Sequence, residues 1–158
     1  MGNLFFPEEI IDFLKKRDYS QFWFHDLGNG YRGAYFYLYV NDKADDVEAS
    51  IYAPDNTISD ETADRVIDVL EHLEECIQRA YDWLSKHDLP YAWLLQKEYP
   101  LCELDFGVAS IAPHSNKKDG GGFSLIFNMP GSVDNPWHCD VLFHYDDLQP
   151  YKSEKDLW

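Results

Sequence analysis

The sequence predicts an α+β fold. A single domain over residues 1–158 holds a mostly antiparallel sheet of about five to six strands packed on one long helix, with a short helix at the amino terminus. Three observations carry this expectation. Several short runs alternate apolar and polar side chains, the period of a strand with one buried face. One stretch, from about residue 60 to 85, repeats apolar residues at steps of three and four, the period of a helix. No internal repeat, low-complexity tract or linker divides the 158 residues, a length that buries about two-thirds or more of the unfolded surface.

The first element is the segment PEEIIDFLKKR, from Pro7 to Arg17. Proline suits the first helical position, Glu8 and Glu9 the positive end, and Lys15, Lys16 and Arg17 the negative end. Ile10, Ile11, Phe13 and Leu14 supply its buried side. An aromatic run follows, broken at Gly28-Asn29-Gly30, which reads as a turn between a strand near Phe22–Asp26 and one from Arg32 to Asn41. In the second of these, Ala34, Phe36, Leu38 and Val40 share one face, and Tyr35, Tyr37 and Tyr39 share the other. Beyond the polar turn NDKADD, Val47, Ala49, Ile51 and Ala53 alternate with Glu48, Ser50 and Tyr52, a third strand and the expected hairpin partner of the second.

The long helix begins after Ser59, a good N-cap residue, with Asp60 and Glu61 in its first turn. Its apolar stripe runs through Ala63, Val66, Ile67, Leu70, Leu73, Ile77, Ala80, Tyr81 and Leu84. Aspartates and glutamates lie mostly off that stripe. Pro90 opens a possible further short helix, ended before Pro100. Leu104, Phe106 and Val108 then alternate, with Gly107 a candidate bulge; so do Phe123, Leu125, Phe127 and Met129, and Trp137, Cys139, Val141, Phe143 and Tyr145. The tail from Gln149 is polar and ends in Leu-Trp. Short turns between strands favour antiparallel pairing.

Composition excludes some functions. Thirteen basic against twenty-nine acidic residues give a net charge of −16 and a pI near 4.5. Such a surface repels nucleic-acid phosphates and anionic membranes, and no apolar run approaches the roughly 18 residues of a membrane span. The start MGNLFFPEEI lacks the basic region and apolar core of a signal peptide. Cys76, Cys102 and Cys139 are odd in number and far apart, the pattern of reduced thiols in a cytoplasmic protein.

The densest cluster of reactive residue types is NPWHCDVLFHYDD, from Asn135 to Asp147. As a strand it places His138, Asp140, Leu142 and His144 on one side. At about 3.3 Å per residue the two histidines are roughly 20 Å apart, too far to share an ion, while His138 and Asp140 stand about 7 Å apart. The triplet HCD resembles the H-x-D pair of the 2-oxoglutarate/iron oxygenases, whose third ligand is a downstream histidine; of the fourteen residues after His144, none is a histidine. The pair is therefore expected to be two solvent-facing polar strand residues. KDGGGF lacks the spacing and following helix of a phosphate loop, and Gly131-Ser132 is no nucleophile elbow. The pairs Asp45-Asp46 and Asp146-Asp147 fall in turns. No catalytic residue, metal ligand or cofactor is expected.

Charge distribution points elsewhere. From Asp42 to Asp82 there are thirteen acids against Lys43, Arg65 and Arg79, a net of −10. The strand face bearing Tyr35, Tyr37, Tyr39 and Tyr52, with His138 and His144, is expected beside it. Tyrosine gives large contact area with a polar tip. An aromatic centre surrounded by acids such as Asp64, Asp68, Glu71 and Glu75 is what docking a basic partner requires; the competing expectation has the tyrosines covered by the first helix and the Pro90 segment.

In size, acidity, aromatic richness and lack of catalytic motifs, the chain resembles the small, acidic, cytoplasmic immunity proteins of bacterial polymorphic and contact-dependent toxin systems. That resemblance implies a single α+β domain that binds and blocks a cationic nuclease toxin. The alternatives are a small metal-dependent enzyme or hydrolase using His138 and Asp140, a housekeeping interaction domain, or a DNA mimic.

Overall fold

The computed structural model describes residues 4–28, 31–87, 101–106, 122–129 and 137–157. Eight strands, β1 (Leu4–Phe5), β2 (Trp23–Gly28), β3 (Tyr31–Leu38), β4 (Val47–Tyr52), β5 (Leu101–Phe106), β6 (Gly122–Met129), β7 (Trp137–His144) and β8 (Pro150–Leu157), form one sheet. Three helices accompany it: α1 (Pro7–Lys16), α2 (Asp60–Glu71) and α3 (Leu73–His87). The fold is thus α+β, as the alternation implied.

Three details correct the expectation. The sheet has eight strands and is mixed: β1 pairs with β3 and β4 with β5 in parallel, and the remaining pairings are antiparallel. The parallel pairing of β4 and β5 follows from the helices between them, because a crossover returns the chain to the sheet in the same direction. The polar tail is the edge strand β8, where Lys152, Ser153 and Glu154 face β7 in register; charged side chains suit an edge and hide the strand from a hydrophobicity pattern.

The third correction is that the long helix is two helices, broken at His72 (φ −119°, ψ 23°). Neither glycine nor proline stands there. Apolar residues step by three from Ile67 to Leu70 to Leu73, which lags a 3.6-residue turn by about 60° at each step. A break re-aims α3, so that Leu73, Cys76, Ile77, Ala80 and Leu84 are buried as fully as Ala63, Val66 and Leu70 on α2.

Helix ends match their sequence signals. Ser59 Oγ accepts the Thr62 amide at 3.1 Å, capping α2. Glu9 Oε1 accepts the Phe6 amide at 3.0 Å at the start of α1. Arg17 closes α1 in the left-handed conformation, φ 55°, with its amide donating to Leu14 at 3.1 Å.

All three helices lie on one face of the sheet. Their buried residues form a single cluster with Ala34, Phe36 and Leu38 of β3, Ala49 and Ile51 of β4, and Phe123, Leu125 and Phe127 of β6. Tyr81 meets Phe127 with ring centres 5.3 Å apart, and Phe13 meets Phe5 at 5.4 Å. Since α1 packs here, it does not cover Tyr35 and Tyr37, which point to the opposite, outer face. The Pro90 segment and Gly131-Ser132 lie outside the described residues, as do Val108 with its Gly107 bulge and most of the KDGGGF loop. Within the sheet, Gly122 meets β7 so closely that a Cβ would sit 2.3 Å from the Phe143 carbonyl oxygen.

Candidate functional site: an acid-lined groove at the helix break

The break between α2 and α3 opens a groove of about 310 Å³. Its floor is apolar, from Val40, Leu70 and Leu73, and its rim holds Phe6, Tyr39, Glu8, Glu71, His72, Glu74 and Glu75. Phe6 becomes part of it because β1 alternates: Phe5 turns into the core and Phe6, at the start of α1, turns out and stays 54% exposed. Its ring stands edge-on to Tyr39, centres 5.6 Å apart. Tyr39 donates to the Asp42 carboxylate, a bond that raises its phenol pKa above the ordinary value.

Four carboxylates thus surround two aromatic rings. Lys15 lies 4.0 Å from Glu71 and Arg79 lies 3.7 Å from Glu75. Glu8 and Glu74 have no ion pair among the described residues. His72 bonds the Asp68 carbonyl at 2.8 Å. That bond, joined by the nearby Asp68, Glu75 and Glu71 carboxylates, holds its imidazole pKa above the usual value. The groove therefore offers an apolar floor and an excess of negative charge, the complement of a lysine or arginine side chain with its aliphatic stem.

The structure brings together only part of the residue set expected from sequence. Tyr39, Glu71 and Glu75 converge on this groove. Asp64 and Asp68 lie on exposed turns of α2, already engaged with Arg17 at 3.3 Å and His72 at 3.4 Å. Tyr35 and Tyr37 sit half-buried on the outer face, where burial and the Glu48 carboxylate raise their phenol pKa values. Tyr52 lines a separate, larger cavity of about 430 Å³ with Asp55, Ser59 and Thr62. His138 and His144 lie on β7, toward the far edge of the sheet. Phe6, Glu8 and Glu74 were not expected; the adjacent Phe5-Phe6 before Pro7 was the available signal, since alternation cannot bury both.

His138 and Asp140 are not the solvent-facing pair expected. His138 Nδ1 donates to Asp140 Oδ1 at 2.6 Å, and their side chains are 14% and 15% exposed. Across the sheet the register sets Glu48 beside Glu103, Glu103 beside Ile126, and Ile126 beside Asp140. Burial, then the Glu48 charge, raises the Glu103 carboxyl above its usual range, with His138 opposing. Among the described residues, no three His, Cys, Asp or Glu side chains converge as a metal set, and no helix is long and apolar enough to cross a membrane. Cys76 and Cys139 are buried and Cys102 half-buried, and none of the three is in a disulfide.

Fold and site together define an α+β domain with a mixed sheet, helices on one face and an acid-lined aromatic groove where those helices break. In comparisons with family models, curated proteins and solved structures, none matches the chain.

Proposed function

We propose that this chain is a non-catalytic binding protein that docks a basic protein partner, in the manner of an immunity protein neutralising a nuclease-type toxin. The observation that carries the reading is the groove at the helix break, where Phe6 and Tyr39 stand among Glu8, Glu71, Glu74 and Glu75. Aromatic rings supply contact area, and the surrounding charge accelerates encounter with a cationic surface by roughly 10- to 1000-fold at low salt. A net charge of −16 extends that field over the molecule.

The test is stopped-flow association, at low and high ionic strength, with any cationic nuclease domain that a neighbouring gene encodes. Association should slow as salt rises. A Glu71→Lys, Glu74→Lys, Glu75→Lys variant should associate roughly tenfold or more slowly at low salt. Salt-independent binding that tolerates the reversal overturns the electrostatic account.

A second reading, a small hydrolase or metal-dependent enzyme, is favoured by one observation, the short His138–Asp140 bond in a mostly buried setting. A carboxylate on Nδ1 fixes the imidazole tautomer and orientation, the arrangement found behind histidines that serve as bases or metal ligands. Stoichiometric zinc or iron in purified protein, lost in His138→Ala or Asp140→Ala, would establish it over the docking reading.

A further inference from the structure

Three large apolar side chains are exposed among the described residues: Leu4 at 50%, Phe6 at 54% and Trp23 at 39%. Scattered exposed hydrophobes need no explanation, but a contiguous strip marks an interface. These three are contiguous, because β1 and β2 both border β3. Leu4 pairs with Tyr37 in register and Trp23 with Tyr35. The Trp23 ring centre lies 6.4 Å from Tyr37 and 6.0 Å from His25. Phe6 then continues the strip to Tyr39 and the groove.

The chemistry around the strip selects its occupant. Glu48 and Asp46 lie close enough to Tyr37 to raise its phenol pKa, after burial, and Asp26 lies on β2, paired to Arg32 at 2.7 Å. A second copy would carry the same carboxylates and the same net charge of −16 onto this face, since a two-fold contact sets a surface against itself. An anionic lipid surface is repelled likewise. A cationic segment with an apolar residue gains both contact area and charge complementarity.

We infer that the partner engages through an apolar–basic segment, an aliphatic or aromatic side chain seated against Leu4, Trp23 and Tyr37 and neighbouring lysines or arginines directed past Phe6 into the groove. This rests on the docking function proposed above and adds the identity of the segment. It makes Trp23 and Leu4 anchor positions, of the kind in which binding energy concentrates.

Two synthetic peptides of equal charge separate the possibilities on the intact protein, Lys-Lys-Leu-Trp-Lys-Lys and Lys-Lys-Ser-Ser-Lys-Lys, both capped, followed by amide and indole NMR shifts. The first should bind about tenfold more tightly and shift Leu4, Trp23 and Tyr37. In Leu4→Ser, Trp23→Ser protein the two peptides should bind alike, with the serine peptide unaffected. Equal affinities on the unaltered protein overturn the apolar anchor while the groove reading stands, and this comparison holds even where the variant is poorly folded. Binding of neither peptide at low salt overturns the docking function as well. A dimer of the unaltered protein in sedimentation equilibrium, dissociated by Trp23→Ser, assigns the strip to a second copy and also overturns the inference.

Discussion

Arg17 reaches from the end of α1 to two carboxylates on the opening turns of α2, Asp60 at 2.9 Å and Asp64 at 3.3 Å, while also donating to the Leu14 carbonyl at 2.6 Å. One guanidinium so fixes two helices and tempers the charge of a residue that sequence alone assigned to a partner. Arg17→Met should lower the thermal midpoint, and the deficit should shrink at high salt because exposed pairs are screened. A calorimetric scan at two salt concentrations checks both.

The stacked rings of Phe123 and Phe143, centres 4.9 Å apart, lie at the middle of the core and are 1% and 0% exposed. Phe143→Ala removes buried area and leaves a cavity, at a cost of about 3–5 kcal/mol. Urea titration should show the midpoint falling with an unchanged slope; a loss under about 1 kcal/mol would mean the sheet repacks around the void.

Gly122 allows β6 to approach β7 where no side chain fits, a Cβ lying 2.3 Å from a backbone oxygen. Backbone cannot swing aside as a flexible side chain can. Gly122→Ala should destabilise the β6–β7 pair and raise amide exchange at its Gly122–His144 end, against unchanged exchange in α2.

Glu103 carries a testable pH signature. Its carboxyl is raised above the ordinary value of 4.5 by burial first and the Glu48 charge second, so the folded state favours the protonated form. Its contribution to stability is then complete below 4.5 and is lost as pH rises through the folded-state value. Glu103→Gln should therefore stabilise the protein at neutral pH and match the unaltered protein in acid. Denaturation midpoints measured across that range decide it; a variant less stable at neutral pH would contradict the sign.

The Cys76 and Cys102 thiols are each pushed up to about 12, chiefly by burial. Both should resist thiol reagents at mildly alkaline pH until the fold opens, because the thiolate is the reacting form. Rapid labelling of either in native buffer, followed by peptide mapping, would refute this.

Alternation made β3, β4, β6 and β7 legible to within a few residues, because each turns its large apolar side chains to the helix face; on β6 and β7 the other face is buried as well, at Ser124, Ile126 and Leu142. It could not reveal β8, whose Lys152 and Glu154 carry the charge an edge requires. The parallel pairing of β4 and β5 was legible in principle: a strand, a long helical stretch and a strand form a crossover, and that outweighs the short-turn rule which suggested antiparallel strands throughout. The groove was harder to foresee. Tyr39, Glu71 and Glu75 were foreseen as binding residues, but the rim is completed by Phe6 and Glu8 from the opposite end of the chain, and its shape comes from a break with no glycine or proline to signal it.

Pairing of β4 with β5 also sets a kinetic order. On either side of that seam, all strands but β1 pair with the next strand in the chain, whereas Ile51 and Phe106 must find each other across a loop of about fifty residues, whose closure entropy grows only with the logarithm of its length but is spent before any contact rewards it. Two half-sheets can zip early and independently, and the molecule becomes whole when the crossover helices draw them together.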